Sequence, residues 1–160
     1  MNARATAVAS ALLFAAVSFA ATPLAEIRLT PAEVDRLQTH EAGAGTSGVA
    51  GIRTTVLVGD PAQAGPYTIR LSVPPNTRIR AHTHRDNRTA VVVAGTWYFG
   101  YGRMAHADAE RALPAGSFYT EPGGVAHFAE TRDAAVIVYI SGFGPTDTVY
   151  VSDGDARQTH

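Results

Sequence analysis

The sequence predicts an all-β fold, a sandwich or small barrel preceded by one short helix. Three observations carry this. From residue 52 onward the chain is a series of short runs rich in β-branched and aromatic residues. Turn-forming clusters such as GDPAQAGP, PPN, RDN, LPAG, EPGG and GFGPT separate them. No helical periodicity lies between the runs, so nothing supplies the crossovers that a parallel sheet needs. At 160 residues the chain has the size of one domain.

Taken in order, residues 1–20 form the first segment. They combine a basic start at Arg4, an alanine-rich apolar run and small residues at Ser18 and Ala20, and read as a secretory signal peptide cleaved before Ala21. A membrane anchor is the weaker reading, because the run is short and lacks flanking anchors. Residues 21–51 hold the helix and a flexible connection. Thr30 is placed to be the N-cap, Pro31 the first helical residue and Glu33 the return partner of a capping box, while Val34 and Leu37 supply a face to bury. EAGAGTSGVAG follows and reads as a flexible connection or a wide turn. Residues 52–151 contain the candidate strands IRTTVLV, YTIRLSV, TRIRAHTH, TAVVVA, TWYFGY, SFYTE, AVIVYI and DTVYV, and 152–160 form a tail. The closing GFGPTDTVYV reads as an edge strand without evident chemistry.

Composition excludes several classes of function. There is no cysteine, hence no disulfide, thiolate ligand or lipid-modified cysteine. All thirteen basic residues are arginine, which removes Schiff-base chemistry and a lysine base. Loss of residues 1–20 removes Arg4 and no acid, leaving twelve basic against fourteen acidic residues and a formal charge of −2. That balance does not attract nucleic acid. The expected protein is exported, periplasmic or secreted, with no stable membrane insertion after cleavage.

The chemistry gathers in RAHTHRDNRTAVVVAG, residues 80–95. His82 and His84 are two apart in a strand-like run, so their imidazoles project from one face. His127 lies beside another strand. Imidazole is the usual borderline ligand for iron, manganese, nickel, zinc or copper. The bland alternative is a set of strand histidines hydrogen-bonded to backbone. His40, His106 and His160 are most simply exposed.

These residues resemble the motifs of the cupin superfamily. Its first motif runs Gly, five residues, His-x-His, three or four residues, Glu, six residues, Gly. Here Asn76 stands at the first Gly, His82 and His84 match, Arg88 stands at the Glu and Gly95 closes the motif. Its second motif runs Gly, five residues, Pro-x-Gly, two residues, His, three residues, Asn. GSFYTEPGGVAHFAET matches at Gly116, Pro122, Gly124 and His127 and departs at Thr131. The resemblance implies a double-stranded β-helix, a jelly-roll barrel, over residues 52–151. It further implies that His82, His84 and His127 hold one divalent transition metal.

An arginine cannot replace a carboxylate as ligand, since it has no available lone pair and stays protonated. Glu121, just before the PGG turn, is the candidate to supply the acid near the site as acid/base group, with Arg88 pairing with it or with an anionic substrate. The competing reading leaves both at the barrel rim. Arg80 shares parity with His82 and would reach the cavity mouth unless a β-bulge reverses it. Tyr98, Tyr101 and Tyr119 offer either hydroxyls or packing, and Trp97 and Phe99 belong to the barrel wall.

Two functional readings follow. One is a metal-dependent enzyme of dioxygenase, isomerase or lyase type acting on a small organic molecule, with Glu121 or a metal-bound water as the acid/base group. The other is a non-catalytic periplasmic module that binds a metal or small ligand. A domain whose metal only stabilises the fold is a third, weaker reading. Cupin resemblance and apolar strand faces together suggest a homodimer.

Overall fold

The computed structural model describes residues 24–152. The predicted signal peptide therefore lies outside the described residues. Among those that are described, no helix is long and apolar enough to cross a membrane. The helix α1 (Pro31–Val34) is one turn long, with Thr30 and Glu33 closing the capping box: the backbone N–H and the hydroxyl of Thr30 each donate to Glu33 Oε2 at 2.7 Å.

Eleven strands follow among the described residues: β1 (Thr39–His40), β2 (Arg53–Val58), β3 (Gly65–Val73), β4 (Arg78–Thr83), β5 (Arg88–Ala94), β6 (Thr96–Tyr101), β7 (Glu110–Pro114), β8 (Phe118–Glu121), β9 (His127–Glu130), β10 (Val136–Gly144) and β11 (Val149–Tyr150). They form two antiparallel sheets, in the orders β1-β2-β3-β10-β5-β8 and β11-β4-β9-β6-β7. This is the jelly-roll barrel that the sequence predicts. Three strands do not figure among the expected runs. β1 is two residues long, β7 carries the charged run ERALP, and β9 follows the PGG turn with four residues. Too short or too polar to show alternation, each is formed by pairing with a longer neighbour.

The core lies between the sheets and follows strand parity. On β3, Tyr67, Ile69, Leu71 and Val73 point inward and alternate with partly exposed residues. β10 lies antiparallel to it with Val136, Val138 and Ile140 opposite Val73, Leu71 and Ile69. On β5 the inward positions are Arg88, Ala90 and Val92. A charged residue thus occupies a core-facing place in a hydrophobic strand.

The connection read as flexible is in fact packed across one end of the barrel. Thr46 is buried, Thr148 donates its hydroxyl to the Thr46 carbonyl at 3.0 Å, and Tyr150 donates to Ser47 O at 2.7 Å. Glycine content permitted that path, but the two hydrogen bonds from the C-terminal segment fix it.

Candidate metal centre

The departures from the two motifs sort into two kinds. Asn76, in place of a glycine, has φ of 55°, and asparagine is among the non-glycine residues that tolerate the left-handed region best. Thr131, in place of an asparagine, donates its hydroxyl to Pro74 O at 2.6 Å and accepts from the Thr77 N–H at 2.9 Å, tying two turns together. Both keep the backbone in place. Arg88 changes the chemistry.

The turn after β8 assembles the site. With Gly124 at φ of 74°, its N–H donates to His84 O at 2.8 Å, and Gly123 N–H donates to Asn87 Oδ1 at 2.9 Å. These bonds pin the PGG turn to the segment after β4 and carry Glu121 and His127 toward His84. His82 and His127 also stand directly opposite one another in the β4–β9 ladder.

The result is a buried cluster. The donor atoms of His82, His84 and His127 lie within 4.8 Å of one another, and the ring centroids are 4.4 to 5.0 Å apart. Each ring has its Nδ1 against a backbone carbonyl: Arg80 O at 2.7 Å for His82, Asp147 O at 2.5 Å for His84, and Val125 O at 3.0 Å for His127. A carbonyl only accepts, so each Nδ1 carries the proton and each Nε2 keeps its lone pair. The backbone bonds of the bland reading thus exist, and they set the tautomer a metal requires. Burial holds all three rings neutral, lowering His82 to about 3 and His84 to about 2, with the neighbouring His127 and Arg88 respectively as the next causes.

Arg88 faces inward and is buried. Its Nη2 donates to Thr146 Oγ1 at 2.8 Å and to Asp147 O at 3.1 Å, its Nε lies 3.5 Å from Asp86 Oδ1, and its Nη1 lies 3.5 Å from Glu121 Oε2. The same Nη2 touches His84 Nδ1. Because Asp147 O accepts from both groups, that contact is two donors converging on one acceptor. Asp86 is held in turn by the Thr146 hydroxyl at 2.5 Å and the Tyr67 hydroxyl at 2.6 Å.

Glu121 is also buried, and it stands directly opposite Arg88 in the β5–β8 ladder. The reading that left both at the rim is overturned. Glu121 Oε2 lies 3.6 Å from His84 Nε2 and 3.8 Å from His127 Nε2. Neither Glu121 Oε2 nor His127 Nε2 has a hydrogen-bond partner, although both are buried. The imidazole Nε2 atoms and Glu121 Oε2 that converge here are all acceptors. A cation satisfies such a set and a polar cavity without one does not, so the residues present fit a divalent metal.

Three expectations require correction. Arg80 points outward and stacks over Tyr150, its guanidinium 5.2 Å from the ring centroid, because the register between β4 and β9 shifts between Ile79 and His82. Only its carbonyl serves the site. Tyr98 is on the outer face, under Arg132 at 3.8 Å, since Trp97 and Phe99 take the inward parity of β6. The GFGPTDTVYV segment is an edge strand but does carry chemistry, through the Thr146 hydroxyl and the Asp147 carbonyl. Tyr119 does line the cavity, and burial, then the nearby Glu121 charge, pushes its phenol well above the ordinary range. His40 and His106 are exposed, as expected.

Asp86, Thr146, Asp147 and Tyr67 belong to the site and escape a reading of the sequence. Asp86 alone leaves a signal, two residues from Arg88 and of the same parity. The cavity itself measures about 30 Å³ and is walled by Leu71, Ile79, Trp97, Phe99 and Ile140 with Ser47 and Thr148 at its edge. That is room for little more than one water molecule.

No family model matches the sequence, and no curated protein matches it. Solved structures do match the fold. An RmlC-like cupin from Shewanella frigidimarina is similar at a TM-score of 0.54 and 16% identity, over 75% of this chain and 92% of that one. The polyketide cyclase RemF from Streptomyces resistomycificus gives 0.58 and 14%, over 82% and 91%. The DMSP lyase DddQ from Ruegeria pomeroyi gives 0.54 and 18%, over 68% of this chain and 56% of that one. Identities this low speak for the architecture alone. With its two-sheet barrel and its likeness to these structures, the chain has the cupin fold.

Proposed function

We propose that this protein is a metal-dependent cupin enzyme of oxygenase, isomerase or lyase type that acts on a small organic molecule. The carrying observation is the acceptor-only convergence: three imidazoles whose Nδ1 protons are spent on backbone carbonyls, beside the unpartnered Glu121 Oε2. His82, His84 and His127 would hold the metal, which when bound would supply Lewis acidity or a site for oxygen. Glu121 is the proton-handling group within reach, Tyr119 the hydroxyl on the cavity wall, and Arg88 keeps the carboxylate in place. The lyase and cyclase among the similar structures support the class of chemistry by analogy.

A second reading, a non-catalytic module that binds a metal or small ligand, is favoured by the cavity of about 30 Å³. Metal analysis of protein purified without chelators or a histidine tag tests the shared premise. About one transition-metal ion per chain is expected, and its loss in His82→Ala and His127→Ala. Metal-free protein that does not take up iron, manganese, nickel, zinc or copper overturns both readings. Turnover of a panel of phenolic and keto-acid compounds with iron and oxygen supports the enzyme, whereas ligand capture without turnover supports the module.

Export is part of the proposal and rests on residues 1–20; the N-terminus of the mature protein tests it, with cleavage before Ala21 expected. So is a homodimer, for which the exposed Val91 and Phe118, opposite one another across β5 and β8, and Val93 on the same face of β5 offer an apolar surface. The mass in solution checks it, and a monomer at all concentrations removes it.

A further inference from the structure

The formal charges around the three histidines do not balance. Asp86 and Glu121 bring two buried carboxylates, and Arg88 brings one guanidinium. Asp147 lies farther out and has Arg85 as its partner, Nε to Oδ2 at 3.0 Å. Arg88 is also shared unequally. Through Thr146 it is tied closely to Asp86, the hydroxyl receiving from Nη2 at 2.8 Å and donating to Oδ1 at 2.5 Å. Glu121 gets only the 3.5 Å approach of Nη1.

Glu121 Oε2 is thus buried, weakly compensated and aimed at two imidazole lone pairs, at 3.6 and 3.8 Å. A protonated carboxyl donating to either ring would sit closer. Four ligands around a cation at about 2.0 to 2.2 Å stand about 3.4 Å from one another at the corners of a tetrahedron. The two Glu121–imidazole separations are near that edge and a few tenths of an ångström wider, and the imidazole ligand atoms lie within 4.8 Å of one another.

The ladder explains how the carboxylate got there. Arg88 and Glu121 are opposite one another on β5 and β8, both on the inward face. A side chain at either position reaches the same end of the barrel, because directly opposed residues have Cβ atoms about 5 Å apart. An acid can therefore be exchanged across one rung without leaving the site.

We propose that Glu121 is the fourth protein ligand of the metal, delivered from β8 in the place that residue 88 on β5 has lost, and that Arg88 is a positioning residue whose guanidinium, 3.5 Å from the same Oε2, keeps the carboxylate turned toward the histidines. This rests on the reading of His82, His84 and His127 as a metal site and replaces the acid/base role of Glu121 with coordination. A cavity of about 30 Å³ beside these four side chains would leave room only for a further group about the size of water.

The test uses Co²⁺ as the probe on the full chain, with affinity from competition against a chelator and geometry from the visible absorption bands. Wild type is expected to bind one Co²⁺ with the intense bands of a low-coordinate site. Glu121→Gln preserves size and should weaken binding by at least about tenfold and alter the bands. Glu121→Asp pulls the oxygen back by one methylene and should shift them as well, which covers the case of a glutamine variant that does not fold. Arg88→Met should leave Co²⁺ bound but change the bands, because the carboxylate is no longer held; unchanged bands remove its positioning role. If His127→Ala binds Co²⁺ as tightly as wild type, the metal reading itself fails. If His127→Ala abolishes binding while Glu121→Gln and Glu121→Asp match wild type in affinity and spectrum, the metal reading stands and Glu121 is not a ligand.

Discussion

The barrel carries two arginine–carboxylate networks, one on each side of its wall. Outside, Arg78 Nε lies 3.0 Å from Glu130 Oε2, Arg132 Nε lies 3.1 Å from Glu130 Oε1, and Arg132 covers the Tyr98 ring. Inside, Arg88 stands 3.5 Å from both Asp86 and Glu121. The looser pairs are the ones that matter. The side chains of Arg78 and Arg132 are 84% and 50% exposed, so water and salt screen them, whereas those of Arg88, Asp86 and Glu121 are at most 6% exposed. In that setting each unmet lone pair has a cost, and the imperfect pairing leaves Glu121 Oε2 unsatisfied and free to coordinate.

The contrast is broken most decisively at Arg88. Arg88→Met should lower the stability of the metal-free protein by about 3 to 5 kcal/mol in chemical denaturation, because it leaves two buried carboxylates without their cation. The same change should tighten metal binding by removing a positive charge beside the ion. A double-mutant cycle on metal affinity with Glu121→Ala sharpens the point: the two residues should couple, and additive effects would mean that they act separately, leaving a plain three-histidine site.

Acid is the next probe. His82 and His84 titrate well below the value of about 6.5 for free histidine. The unfolded chain therefore takes up protons first as pH falls. The stability contributed by the neutral rings is complete above about pH 6.5 and should drain away toward about pH 3 in the metal-free protein, where denaturation midpoints at a series of pH values will read it. Bound metal should be lost on acidification over the same range, displaced downward because it competes with protons. Stoichiometric metal retained far below that range would place the binding on carboxylates elsewhere.

A smaller effect is expected at Gly142. A Cβ there would stand 2.5 Å from Asp86 Oδ2 and 2.6 Å from the Tyr67 hydroxyl, so Gly142→Ala should push the pair apart and cost about 1 to 3 kcal/mol in thermal or chemical denaturation. A neutral substitution would show that the inner network has slack and that its tight contacts are not what holds Arg88. The smallest effect belongs to the outer network. Arg78→Ala should shift the melting temperature by about 2 °C at most, and less in high salt. A larger shift would remove the distinction between the two sides of the wall.

What the sequence by itself determined is the local chemistry. Alternation in YTIRLSV, the turn clusters and the capping box at Thr30 were enough for the barrel and its helix, because parity and turn residues act over a few positions. His82 and His84 declared a common face by spacing, and the PxG turn placed His127. What the tertiary structure decided was orientation wherever local parity was silent or misleading. TAVVVA is apolar on both faces, so only pairing with β10 and β8 shows that Arg88 points inward. A shifted register turned Arg80 out, although its parity with His82 pointed in. Asp147 orients His84 through a carbonyl, from a segment 63 positions away, and a backbone oxygen leaves no trace in residue type. Short-range rules fix which side chains share a face. Only the closed barrel fixes which distant faces meet, and it is there that Glu121 comes to stand among the histidines.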